Sequence, residues 1–93
     1  MYKTLIGFLL VTVGIAGDKY SDSEFMEELN IRAESTISVV QMGINFENKD
    51  YKELCPQIGK NNIMGIRDKF THAQDAVALE LIVDKCFNHF NKQ

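Results

Sequence analysis

The 93-residue sequence has no long hydrophobic run, no excess of basic charge, no CxxC pair and no stretch of alternating β-branched residues. Each absence closes a class. A membrane-spanning helix needs about 20 apolar residues, and the longest apolar run, from Leu5 to Ala16, falls short of that. Broad electrostatic binding to nucleic acid requires many basic groups to neutralise phosphates. Ten basic against 13 acidic side chains give a formal charge of -3, so only a local basic patch is compatible. Cys55 and Cys86 lie far apart, with no cluster of His or Asp beside either, and no metal or cofactor is expected. They read as reduced, buried core thiols, with a single disulfide as the alternative if the chain is exported. Low-complexity tracts, internal repeats and linkers are also absent, so residues 1–93 read as one domain. A domain this small buries a modest fraction of its surface, which makes association with a partner a natural remedy.

The N-terminal stretch "MYKTLIGFLLVTVGIAGDKY" has a lysine, an apolar run and small residues near its end, the layout of a secretory leader. Read instead as a helix, it is apolar over much of its girth and must be covered on more than one side. From the segment alone, cleavage and retention stay open.

Three further helices follow. Ser21 and Glu24 have capping-box spacing and start a helix. Leu29, Ala33, Ile37, Val40 and Ile44 share one stripe of it, while Ile31, Val39, Met42 and Phe46 share another on roughly the opposite side. The second face wants a partner. The stretch "ENKDYKELCPQIGKNN" reads as a connector with one helical turn, because Pro56 disfavours helical geometry at Cys55. A third helix is expected to start near Asn61 or Asn62, with Ile63, Ile66 and Phe70 on its apolar face. "HAQDA" interrupts it before Leu79, Ile82, Val83, Cys86 and Phe90 mark the last helix. The fold expected is all-α, a small up-down bundle of four to five helices that dimerises through them.

Chemistry concentrates in "GIRDKFTHAQD", residues 65 to 75. On an unbroken helix, Arg67 and His72 would point about 140° apart. Asp68 and His72 would then be neighbours, with Asp68 orienting an imidazole at the helix C-terminus and Arg67 a solvated flank. A functional reading needs the helix to end near Thr71, or two chains to pool their residues. Arg67 could then hold phosphate oxygens with its planar fork while His72 moves a proton, which suffices for metal-free RNA cleavage. Lys60, Lys69 and Lys85 would supply a modest basic rim or remain solvated. His89 reads as a partly exposed helix residue.

The segment "PQIGKNNIMGIRDKFTHAQDAVALELIVDKC" resembles the C-terminal half of the HEPN superfamily, and within it the HepT-like ribonuclease toxins, whose signature R-[N/D]-x-x-x-H is matched by Arg67, Asp68 and His72. "AVALELI" matches their downstream helix. The resemblance implies a homodimeric helical bundle, a metal-independent endoribonuclease cleft acting on RNA, and a nucleotidyltransferase antitoxin (MntA-like) as partner. It also implies that residues 5–16 are kept as the first helix of a cytoplasmic, non-membrane protein. Gln74 stands where some members carry a tyrosine that the antitoxin modifies, and no tryptophan occurs near Gly59 and Lys60. Alternatives are a non-catalytic partner module of a nucleotidyltransferase, or a small exported helical protein with a cleaved N-terminus.

Overall fold

A computed structural model describes residues 19–92. Helices α1 (Asp22–Glu47), α2 (Tyr51–Ile63) and α3 (His72–Asn91) follow one another, with a 3-10 turn over Met64–Lys69 between the last two. No strand occurs among the described residues. The first expected helix, residues 5–16, lies outside the described residues, so the bundle seen has three α-helices.

Helix α1 starts where its capping box predicts. The Ser21 hydroxyl accepts from the Glu24 backbone N–H, and the Glu24 carboxylate accepts from Ser21 N–H, at 3.2 and 2.9 Å. These contacts satisfy two groups that a helix start otherwise leaves without partners. The helix ends at Asn48, whose left-handed conformation (φ 56°) reverses the chain into α2.

The expected connector is instead helix α2. Asp50 caps it by accepting from Lys52 N–H at 3.0 Å, and Leu54, Cys55, Gly59 and Ile63 are buried along it. Pro56 lies inside the helix. It lacks the N–H that would bond to the Lys52 carbonyl, and tertiary burial outweighs that one missing bond and the local preference of Cys55. Gly59 permits close approach to α3, since a Cβ there would meet Ile82 Cγ2 at 3.0 Å.

The core divides into two clusters that fix the helix directions. Phe25, Leu29 and Ala33 of α1 pack with Ile63, Ile66, Phe70, Ala78 and Ile82. Val40 packs with Leu54, Cys55, Cys86 and Phe90. The start of α1 therefore meets the end of α2 and the start of α3, an up-down-up arrangement in which each helix touches the other two. A polar contact joins α1 to the end of α2 at the fully buried Thr36. Asn62 Nδ2 donates to Thr36 Oγ1 at 2.7 Å, Thr36 Oγ1 donates to the Arg32 carbonyl at 2.8 Å, and an Arg32 guanidinium N–H donates to the Asn62 carbonyl at 3.2 Å.

The same antiparallel pairing corrects the expectation of reduced thiols. Cys55, early in α2, and Cys86, late in α3, face each other, both fully buried, and form a disulfide with Cα atoms 5.9 Å apart. With the connector helical and packed on α3, two positions distant in sequence become adjacent.

Candidate functional site

The helical run containing Arg67 stops short of His72. Phe70 adopts extended geometry (φ -85°, ψ 140°), its side chain is buried, and its ring meets Phe25 edge-on at 5.1 Å. Thr71 then caps a new helix, with its hydroxyl accepting from Gln74 N–H and the Gln74 amide oxygen accepting from Thr71 N–H. The break thus falls before His72 instead of at "HAQDA", and the helical pairing of Asp68 with His72 does not form. His72 is the first residue of α3 and is exposed.

This corner gathers Lys19, Arg67, Phe70, Thr71, His72 and Asp75 around an open cavity of about 340 Å³. Arg67 and His72, which a continuous helix would have turned apart, share one concavity within one chain. The predominant contact of Arg67 is nevertheless Asp75: Nε and a terminal N–H donate to the two carboxylate oxygens at 2.9 and 3.0 Å. This fork-to-fork pairing is the strong form of an Arg-carboxylate contact. It raises the Arg67 pKa above its ordinary value. The hydrogen bond from Arg67 holds the Asp75 carboxyl below its ordinary value against the opposing effect of desolvation, with the charges of Arg67 and His72 helping. Asp75 lies eight residues from Arg67, and no short motif joins the two in the sequence.

Asp68 enters through its backbone, whose carbonyl accepts from Lys19 Nζ at 2.7 Å; its side chain is exposed. Tyr20 N–H donates to the Lys69 carbonyl at 2.8 Å, and Lys69 Nζ lies 5.9 Å from the Tyr20 ring centroid. Buried Gln74 completes the corner by donating to the Tyr20 carbonyl and to Asp22. Gln74 is therefore an internal clasp between the start of α3 and the residues at the start of α1. Of the three lysines proposed as a rim, Lys69 is at this corner, Lys85 lines a separate groove between α1 and α3 with Glu34 and His89, and Lys60 is exposed on α2.

Among the described residues no three potential metal ligands come together, and no helix is long and apolar enough to cross a membrane. No family, curated protein or solved structure matches the chain.

Proposed function

We propose that this is an exported helical protein whose apolar N-terminal run is a leader and whose bundle is stapled by a disulfide. The observation that carries the reading is the buried Cys55–Cys86 bond. Such bonds persist in oxidising compartments and are rare where thiol-reducing systems operate. The segment "LIGFLLVTVGIAG", preceded by Lys3 and ending in small residues, agrees with it. Intact-mass measurement of the protein from its native source tests the proposal. A start beyond residue 16 is expected, and a chain beginning at Met1 or Tyr2 overturns the leader.

A second reading is favoured by the chain break at Phe70. It brings Arg67 and His72 to one cavity, as metal-independent RNA cleavage requires. In that reaction an imidazole takes the 2′-hydroxyl proton, the 2′-oxygen attacks phosphorus, and the 5′-oxygen leaves with a proton, giving a 2′,3′-cyclic phosphate. Arg67 would steady the phosphorane once phosphate displaced Asp75. A twofold assembly, a cytoplasmic location and a nucleotidyltransferase partner belong to this reading through the HEPN resemblance. Incubation with RNA in EDTA tests it: fragments with cyclic ends support it, and intact RNA at every protein concentration excludes it.

A further inference from the structure

Along the junction of α1 and α3 runs an open groove of about 710 Å³, beside the later half of α3 and away from the Arg67 cavity at that helix's start. Its floor includes the buried Ala33, whose small side chain leaves depth between the helices. Asn30 and Glu34 stand on the α1 side, and Lys85, Asn88 and Lys92 on the α3 side. Positions i, i+3 and i+7 of a helix share a face, so the two lysines border the groove about 10 Å apart along the axis, two turns of helix. Neither lysine nor Glu34 forms an ion pair among the described residues. In a chain of net charge -3, two unpaired cations on one rim make a local positive strip.

We propose that this groove binds an extended acidic peptide, a segment of a partner protein with two carboxylates three residues apart. A polyproline II backbone rises about 3.1 Å per residue and repeats its face every three residues, which sets such carboxylates about 9 Å apart on one side. That spacing matches Lys85 and Lys92. The same conformation makes no internal hydrogen bonds, so its N–H and C=O groups are free to pair with the groove. Asn30 and Asn88 each offer a donor and an acceptor, while Glu34 only accepts. Together they supply the mixed pairing that a peptide backbone needs. Glu34 also repels a uniformly charged chain, which favours a peptide with neutral residues between its acids over a sulfated or phosphorylated polymer. The lysines fix the register and speed the encounter. The groove is separate from the Arg67 cavity, and the inference holds whichever function is correct.

Fluorescence anisotropy of the disulfide-intact protein with a labelled peptide tests it, the peptide having an E-P-A-E core between neutral residues. Saturable binding is expected at low salt, and a peptide of the same composition with its two glutamates adjacent should bind more weakly. Lys85→Glu and Lys92→Glu, both at exposed positions that the core does not need, should each raise the dissociation constant at least about tenfold by turning attraction into repulsion. Lys60→Glu, exposed on α2 outside the groove, should leave it unchanged. No binding at millimolar peptide, equal binding of the adjacent-glutamate peptide, or an equal loss in Lys60→Glu overturns the site. Tighter binding of a sulfated oligosaccharide through the same two lysines overturns the assignment to a peptide.

Discussion

Arg67 and Asp75 lock together through two parallel hydrogen bonds of 2.9 and 3.0 Å across a break between two helical segments. The carboxylate occupies the fork that a phosphate would need. If the cavity serves a phosphodiester, Asp75→Asn should strengthen RNA binding and raise cleavage by freeing the guanidinium. Unchanged or weaker binding, measured by fluorescence anisotropy at fixed salt, would show that Asp75 only shapes the corner.

Acid should weaken the fold through identifiable carboxylates. Hydrogen bonds to Arg67 and Ser21 hold Asp75 and Glu24 below their ordinary values of 3.8 and 4.5. A group whose pKa is depressed on folding stabilises fully above its unfolded value and loses that contribution as pH falls through the folded one. Denaturant midpoints should therefore be flat from neutrality down to about pH 5, by that linkage, and decline below it. The decline should be shallower in an Asp75→Asn, Glu24→Gln double variant. Glu24 is exposed and Asp75 only half-buried, so the difference should be small; an identical acid limb in the two proteins would remove these groups from the account.

Gln74 is nearly inaccessible, closes the α3 capping box and donates to Tyr20 and Asp22. Gln74→Ala removes the side-chain half of that cap and strands the Tyr20 carbonyl, which should cost about 1–3 kcal/mol. Gln74→Tyr should destabilise as well, because a phenol supplies neither the amide oxygen that accepts from Thr71 N–H nor the amide N–H groups that donate to Tyr20 and Asp22. Urea unfolding decides; a wild-type midpoint for either variant would mean that the clasp is not holding the corner.

Thr36→Val keeps the side chain's shape but removes the acceptor for Asn62 Nδ2. Leaving that half-buried amide unpaired should lower stability by about 1–3 kcal/mol, and Asn62→Ala in the same background should recover part of the loss by removing the stranded donor. Equal losses from the two changes, adding without recovery, would place the energy elsewhere.

The legible parts of the fold were those with local signals. Ser21 and Glu24 announce α1, and its buried residues Leu29, Ala33 and Val40 fall on the stripe their spacing defines. Ile82, Cys86 and Phe90 do the same for α3. Helix α2 is hidden because Pro56 and the polar Lys60, Asn61 and Asn62 resemble a connector, and its helicity depends on burial against two partners that local propensity does not register. Thr71 and Gln74 have the capping spacing that marks a helix start, yet they lie inside the arginine-histidine motif, where a helix end and a helix start compete. Residue types and spacing point to Arg67, Asp68 and His72. Asp75 carries no such signal, because its role depends on how the chain turns at Phe70.

The redox state of Cys55 and Cys86 tests the central claim most directly. A cross-link closing a loop with a sequence separation of 31 should contribute about 3–4 kcal/mol by loop-closure entropy, and its presence in the cell decides the compartment. Cells of the native source would be lysed into denaturant containing an alkylating agent, and the protein's mass read before and after reduction. The account predicts no alkylation before reduction and two alkylated cysteines after it. Two thiols alkylated at the moment of lysis would contradict it, returning the protein to a reducing compartment and strengthening the RNA-cleaving reading of Arg67 and His72.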